Sequence, residues 1–155
     1  MKGYGNYDKA PELKVEGYSA VQGYAAIAEE LRRVAAGKNQ HVIVFDCYPE
    51  VDQQEVYAGL SALTPTWFFT DSVMPDKTAY NQRIKPYVTD DRVFGIMNTL
   101  KFTDIMVADK AEAMRKEIAA AKGLVCVIGV GASLVERGDT LVYLDMARWE
   151  IQRRF

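Results

Sequence analysis

A short apolar run that leads directly into glycines constrains the fold of this chain more than any other stretch. Residues 123–135 read GLVCVIGVGASLV, so five consecutive apolar residues are followed at once by Gly129 and Gly131. An apolar run of this length, opened and closed by glycine, is typical of a strand that is buried on both faces of a parallel sheet. The stretch therefore predicts an α/β fold with this strand inside the sheet.

The glycines after this strand also suggest a site for a phosphate group. Glycine lets the backbone turn sharply and lets a ligand approach without a Cβ in the way. A helix that begins near Ser133 would direct free N–H groups at an anion. The predicted phosphate-binding residues of the turn are Gly129, Gly131, Ala132 and Ser133. The alternative is a structural turn without a ligand, because the lysine of a full phosphate loop and the third glycine of GxGxxG are both missing.

Strands and helices alternate along the rest of the chain. Apolar runs predict further strands at residues 41–45, 66–70 and 140–144. Helical spacing of apolar residues predicts helices near residues 19–37, 52–63, 77–84 and 107–122. Alternation of this kind implies parallel strands with right-handed crossovers. The predicted fold is a three-layer α/β domain over residues 18–155, with a mainly parallel sheet of four to five strands, helices on both faces, and an irregular arm at residues 1–17.

Two of the predicted helices carry start signals in the sequence. Ser19 and Gln22 have the spacing of a capping box, in which each side chain satisfies a free backbone N–H group. Asp52, with Glu55 three positions later, marks the start of the second helix in the same way. Gly37 is predicted to end the first helix. Residues 87–103 show no clear pattern.

Composition and charge exclude several classes of protein. The 155 residues suit one domain, and the net charge of −2 comes from interspersed acidic and basic residues. No basic stripe stands out beyond residues 148–154, so nucleic acid is not an expected partner. No run is long enough to span a membrane, and the N-terminus lacks an apolar signal core. We therefore expect a cytoplasmic protein, in which the isolated Cys47 and Cys126 are reduced and buried.

Two strands are predicted to end in an aspartate. Asp46 follows the run at residues 41–45, and Asp145 follows the last strand. Because ligands bind outside the carboxyl ends of parallel strands, we predict that both carboxylates hold Mg²⁺ beside a nucleotide, with Arg148 at the phosphate. The alternative is that each aspartate caps the following turn, while Arg148 pairs with Glu150.

The single histidine argues against zinc chemistry. His41 lies at the start of a predicted strand, at the opposite edge from the one where ligands bind, so we expect it to be structural or exposed and not catalytic. With one histidine and no cysteine pair, neither a zinc site nor a Ser-His-Asp or Cys-His arrangement is expected.

Several stretches resemble the N-terminal region of large bacterial proteins identified as class I mannose-6-phosphate isomerases. They are Tyr7-Asp8-Lys9 with Pro11, Asp46-Cys47-Tyr48-Pro49, Asp90-Asp91-Arg92-Val93-Phe94-Gly95, Gly131-Ala132-Ser133-Leu134 and the residues from Leu141 to Gln152. The resemblance implies a degenerate P-loop, kinase-like α/β region that precedes a cupin domain with the zinc-dependent isomerase site. The His, Glu and Gln zinc ligands of that cupin domain have no counterpart here, so the isomerase site itself is not expected. The ending WEIQRRF fits a fragment of something longer.

Three functions follow as hypotheses. The first is a nucleotide- or sugar-phosphate-binding domain, not itself catalytic, that binds a small phosphorylated ligand and serves an enzyme of carbohydrate metabolism. The second is a structural or homo-oligomerisation module without a ligand, suggested by the missing lysine and the tyrosine-rich arm. The third is an active small-molecule kinase, in which Arg83, Arg92 or Arg148 would replace the lysine as the positive group at the transferred phosphate.

Overall fold

Four parallel strands form a single sheet in the computed structural model, which describes residues 11–154. The strands are β1 (Gln40–Cys47), β2 (Thr66–Phe69), β3 (Gly123–Gly129) and β4 (Thr140–Leu144). Their order in the sheet is β2-β3-β1-β4. β1 and β3, the most buried strands, occupy the two central positions, where each pairs with a strand on either side and packs against a hydrophobic core on each face. The predicted α/β fold with a parallel sheet is confirmed.

Helices precede, connect and follow these strands. They are α1 (Tyr24–Ala35), α2 (Gln53–Gly59), α3 (Lys77–Ile84), α4 (Phe102–Ile105), α5 (Ala108–Ala120), α6 (Ala132–Val135) and α7 (Arg148–Arg154). Short 3-10 helices come after α2 (Ser61–Leu63), after β2 (Thr70–Val73) and after α3 (Lys85–Tyr87). Residues 88–101, where the sequence shows no clear pattern, contain no helix or strand.

The two faces of the sheet carry separate hydrophobic cores. On one face, alternate residues of β1 and β3 pack against α1 and α2; this core contains Ala28, Leu31, Ile43, Phe45, Val56, Leu60, Cys126 and Ile128. On the other face, the remaining residues of the same strands pack against α5 and α6; this core contains Val42, Val44, Ala111, Met114, Ile118, Val125, Val127, Ala132 and Val135. The arrangement is the predicted three-layer one, because a parallel strand with apolar residues at every position needs cover on both sides.

The chain leaves the ends of β1 and β3 toward opposite faces. After β1 it enters α2, which packs on the first core, whereas after β3 it enters α6, which packs on the second. β1 and β3 are neighbours in the sheet. A crevice therefore opens at their carboxyl ends, the kind of topological switch point where open α/β sheets bind ligands.

The start of α1 differs from the prediction. The capping box of Ser19 and Gln22 is wrong: the helix begins at Tyr24, and its N-cap is Gly23, which has a φ of 85° and no capping side chain. Residues 18–22 lie outside the helix and are exposed. The end of α1 and the start of α2 agree with prediction, since Gly37 follows the helix with a φ of 75° and the Asp52 side chain accepts hydrogen bonds from the N–H groups of Gln54 and Glu55.

His41 lies at the amino-terminal end of the sheet and is 2 % exposed. Its Nε2 atom is 2.9 Å from the Thr140 hydroxyl, and its Nδ1 atom is 3.1 Å from the ammonium group of Lys38. The imidazole therefore joins the start of β1 to the start of β4, which is the structural one of the two roles predicted for it. Within residues 11–154, no helix is both long and apolar enough to cross a bilayer.

Candidate functional site

Asp46 meets the glycine turn at the switch point. It ends the pairing of β1 with β3, directly opposite Gly129. Its carboxylate accepts hydrogen bonds from the N–H groups of Gly131 at 3.0 Å and of Ser133 at 3.4 Å, and also from the Ser133 hydroxyl. The N–H groups predicted to hold a phosphate thus already face an anion, the side chain of Asp46.

The glycines of this turn are required by its geometry. Gly129 has a φ of 141°, and a Cβ atom there would lie 2.0 Å from the Thr70 hydroxyl oxygen. Gly131 has a φ of 70°, and its Cβ atom would lie 2.5 Å from the ring of Phe102. Both values are far inside normal contact, so a side chain at either position needs a change in its surroundings. The close packing explains the glycines without an external ligand.

Ala132 and Thr70 complete the turn. Ala132 begins α6, and its side chain is fully buried in the core. The Thr70 hydroxyl donates to the carbonyl oxygen of Val130 at 3.3 Å. The turn after β3 is therefore held by β1 from one side, through Asp46, and by the end of β2 from the other.

Asp145 and Arg148 are not part of this arrangement. The Asp145 carboxylate accepts a hydrogen bond from the N–H group of Met146 at 2.8 Å. It lines a cavity of about 230 Å³ together with Tyr24, Asp52 and Arg154. Arg148 is exposed at the first residue of α7. Of the predicted site residues, the structure thus brings Asp46 to the glycine turn and places Asp145 and Arg148 elsewhere.

The predicted magnesium ligands Asp46 and Asp145 engage different partners. Within residues 11–154, no group of three or more His, Cys, Asp or Glu side chains is placed to hold a metal ion. Mg²⁺ needs only one or two protein carboxylates when a phosphate supplies further oxygens, so its binding with a nucleotide stays a prediction.

An apolar cavity of about 330 Å³ opens at the carboxyl edge of the sheet. Its walls include Pro49, Asp71 and Val130, which follow β1, β2 and β3 respectively. The remaining walls come from α3, α4 and the loop between β2 and α3, and the full lining is Pro49, Asp71, Met74, Pro75, Tyr80, Phe102, Ile105 and Val130. The cavity therefore lies at the switch point and combines aromatic rings with one carboxylate.

Asp71 is a candidate functional residue that sequence reasoning missed. Its Oδ1 atom lies 3.4 Å from the Nε2 atom of Gln53, at the first position of α2. Among the residues that the structure describes, no group donates a hydrogen bond to the buried Gln53 Oε1 atom. A signal was present in the sequence: Asp71 directly follows a predicted strand, as Asp46 and Asp145 do.

A second cavity, of about 510 Å³, adjoins the first and shares the walls formed by Pro75 and Ile105. It contains Arg83 of α3 and Thr103 of α4, together with Asp104. Arg83 is one of the arginines considered as a replacement for the missing lysine. The two cavities together place an aromatic, acidic region beside a region with a guanidinium group.

The cysteines are poor candidates for a nucleophile. Burial raises the pKa of the Cys47 thiol to about 11 and that of the Cys126 thiol to about 12. The nucleophile in cysteine chemistry is the thiolate, which these pKa values disfavour at neutral pH.

The sequence matches the model of a protein family over most of its length. No curated protein and no solved structure matches the chain. A family described as a domain of unknown function, DUF8485, matches residues 23–155, a range that begins just before α1 and includes all four strands of the sheet. Because this match covers most of the sequence, the chain belongs to the DUF8485 family.

Proposed function

We propose that this domain binds a small phosphorylated ligand, a nucleotide or a sugar phosphate, in the two adjoining cavities at the carboxyl edge of the sheet. The observation that carries the proposal is the position of the 330 Å³ cavity at the switch point between β1 and β3. Ligands of open α/β sheets bind at this position.

The lining of the first cavity suits the base or the sugar of such a ligand. Tyr80 and Phe102 offer aromatic surfaces on which a flat base or the apolar face of a sugar ring can pack. The carboxylate of Asp71 can accept hydrogen bonds from hydroxyl or amino groups, and the Nε2 atom of Gln53 lies 3.4 Å from it. Apolar walls with a few polar groups are typical of small-molecule sites.

The phosphate group is assigned to Arg83. The N–H groups of Gly131 and Ser133 already bind the Asp46 carboxylate, so a phosphate there would have to displace a negative charge held by three donors. Arg83, in the adjoining cavity, supplies a guanidinium group, which matches the geometry of phosphate oxygens. In this proposal Asp46 and the glycine turn position Val130 at the cavity wall instead of contacting phosphate.

The proposed role is binding and not phosphoryl transfer. A kinase needs several positive groups placed against the charge that develops during transfer, and losing one costs orders of magnitude in rate. The two cavities contain one arginine and no lysine among their lining residues. On the resemblance alone, the domain would serve an enzyme of carbohydrate phosphates, with the catalytic site on a cupin domain.

Isothermal titration of the protein with ATP, UTP and mannose 6-phosphate, each with and without Mg²⁺, tests the proposal. We expect at least one ligand to bind with a millimolar or smaller Kd. Asp71→Asn and Arg83→Gln should each weaken that binding at least tenfold, the loss expected for one charge-assisted hydrogen bond of about 1.4 kcal/mol or more.

Two variants on the exposed loop at residues 88–101 serve as matched controls. Asp90→Asn and Arg92→Gln make the same chemical changes outside both cavities and should bind as the wild type does. Absence of binding at millimolar ligand would overturn the proposal. Equal losses in the cavity variants and in the controls would also overturn it, because they would indicate a general charge effect.

A further inference from the structure

The strand β4 forms an edge of the sheet, to which no further strand is added by residues 11–154. It pairs with β1 on one side and is the last strand of the sheet. Val142 and Leu144 point into the core shared with α1 and α2. Leu141 and Tyr143 point to the other face, where they are 59 % and 61 % exposed. Exposed edge strands with large apolar side chains readily pair with another chain, and natural proteins usually protect them with charges, proline or a bulge.

The segment before α1 has the pattern of a strand but pairs with no strand in the part of the chain that the structure describes. Residues 12–16 read ELKVE, so Leu13 and Val15 alternate with three charged residues. Strict alternation of this kind is the signature of a half-buried strand. In the structure these residues lie in neither a helix nor a strand, and Leu13 and Val15 are 87 % and 59 % exposed.

We propose that the arm at residues 11–16 of one copy of this chain pairs with β4 of a second copy as a fifth strand, and that the exchange is reciprocal. Side chains on neighbouring strands share the period of two, so the pairing places Leu13 and Val15 beside Leu141 and Tyr143. It covers both apolar pairs at once and supplies hydrogen bonds to the backbone of the β4 edge. The inference is independent of the ligand binding proposed above.

The attachment point of the arm favours a second copy as the occupant. The arm joins the domain at Tyr24, which lines the same cavity as Leu144 and Asp145 at the end of β4. When two copies face each other through this edge about a twofold axis, each arm therefore begins close to the partner's β4. Within residues 11–154, the chain's own segment at residues 11–22 is exposed at every residue and does not pair with β4. Reciprocal exchange gives two linked contacts, which strengthen each other.

The mass of the full chain in solution, measured by sedimentation equilibrium, tests the proposal. We expect a dimer of twice the 17.4 kDa chain mass. Leu13→Lys in the arm and Tyr143→Glu in β4 should each raise the dimer dissociation constant at least tenfold. Both positions are exposed, so neither change removes a buried contact of the fold. Lys14→Gln, on the charged side of the arm, is the control and should leave the dimer intact.

A mixture of the two variants separates arm exchange from other modes of association. In a heterodimer of Leu13→Lys with Tyr143→Glu, the new lysine meets the new glutamate, and the second arm and edge are both wild type. Mixing should therefore restore a dimer. If Tyr143→Glu dissociates the dimer and Leu13→Lys does not, β4 pairs directly with β4 and the arm plays no part, which overturns the proposal. A wild-type chain that stays monomeric at millimolar concentration also overturns it.

The variant that combines Leu13→Cys with Tyr143→Cys distinguishes exchange from docking of the arm on its own domain. Mild oxidation should yield a covalent dimer on a non-reducing gel. Cys47 and Cys126 are buried and do not compete for the new thiols. A disulfide that forms within a monomer would show that the arm covers its own β4, and the second copy would then be excluded as the occupant.

Discussion

At the scale of single residues, the glycine turn after β3 is explained by its contacts with Asp46, Thr70 and Phe102. The sequence motif at this turn invites the interpretation of a phosphate loop. The carboxylate of Asp46 instead satisfies the N–H groups of Gly131 and Ser133, which would otherwise be partly buried without an acceptor. The turn therefore contributes to stability whether or not a ligand binds nearby.

Gly131→Val tests how tightly this turn is packed. Valine at a φ of 70° is strained, and its Cβ atom would also overlap the ring of Phe102. Gly37 has a φ of 75° with nothing within 4 Å of a Cβ atom, so Gly37→Val carries the strain without the overlap. In urea denaturation we expect Gly37→Val to lower the free energy of unfolding by about 1–3 kcal/mol. Gly131→Val should cost roughly 1–3 kcal/mol more, from overpacking. Equal losses would contradict the packing argument.

The Asp46 carboxylate can be tested by removing it and its partners separately. Asp46→Ala leaves two backbone N–H groups and a hydroxyl without their acceptor, so it should lower the free energy of unfolding by about 1–3 kcal/mol. Ser133→Ala removes only the hydroxyl and should cost less, about 0.5–1.5 kcal/mol. Thermal unfolding of both variants would show which of them loses more stability. A larger loss for Ser133→Ala would mean that the backbone bonds to Asp46 contribute little.

At the scale of elements, two helices with similar start signals behave differently. The Asp52 side chain caps α2, whereas Ser19 lies outside α1, whose N-cap is Gly23. A side chain can cap a helix only where the residues after it are helical. Residues 19–22 lie before α1 and are exposed, so Ser19 has no helix to cap. The apolar face of α1 begins at Tyr24, since its ring is the first side chain of the segment to pack on the sheet.

Alanine substitutions at Asp52 and Ser19 should therefore differ in their effect on the free energy of unfolding. Asp52→Ala removes an acceptor from the N–H groups of Gln54 and Glu55, and we expect a loss of about 1 kcal/mol in the free energy of unfolding. Ser19→Ala removes no capping bond and should leave stability within about 0.5 kcal/mol of the wild type. Chemical denaturation of the two variants and the wild type measures both losses. A marked loss in the free energy of unfolding for Ser19→Ala would indicate that Ser19 caps the helix after all.

At the scale of the whole molecule, the sheet divides the interior into two cores, and both cysteines lie in the core formed with α1 and α2. Burial raises the pKa of the Cys47 thiol to about 11 and that of the Cys126 thiol to about 12. In the unfolded chain a thiol ionises near pH 8.5, roughly the value for free cysteine. The native state thus retains protons that the unfolded state loses at alkaline pH.

Stability should therefore decrease as the pH rises. The contribution of the protonated thiols is fully present below about pH 8.5. It is lost as the pH rises toward 11, because there the unfolded state gains from ionisation and the native state does not. The free energy of unfolding, measured from pH 8 to pH 10.5, should fall more steeply for the wild type than for a variant with both cysteines replaced by alanine. Parallel curves would indicate that other groups dominate.

The reactivity of the two thiols gives a separate test of their burial. At pH 8 neither thiol should react with a disulfide reagent in the folded protein, and both should react at once in denaturant. Rapid labelling of one thiol in the native state would show that its part of the core opens.

The amino-acid sequence by itself determined the kind of fold. The period of the apolar residues records which side chains are buried, and this is a local property. The strand predicted at residues 41–45 therefore lies within β1, and the predictions of a strand at residues 140–144 and of the helix Lys77–Ile84 match β4 and α3. An apolar run without alternation also indicates cover on both faces, which led to a parallel sheet in three layers.

Only the tertiary structure decided which groups meet. Asp46 and Ser133 are 87 residues apart, and whether their side chains touch depends on the order β2-β3-β1-β4, which crossovers and packing establish. The same order separates Asp145 and Arg148 from the glycine turn and brings Asp71 to the cavity with Phe102. Local patterns report burial because burial is repeated at every turn of a helix or every second residue of a strand. Contacts between strand ends have no such period, so the sequence leaves them undetermined until the whole chain has packed.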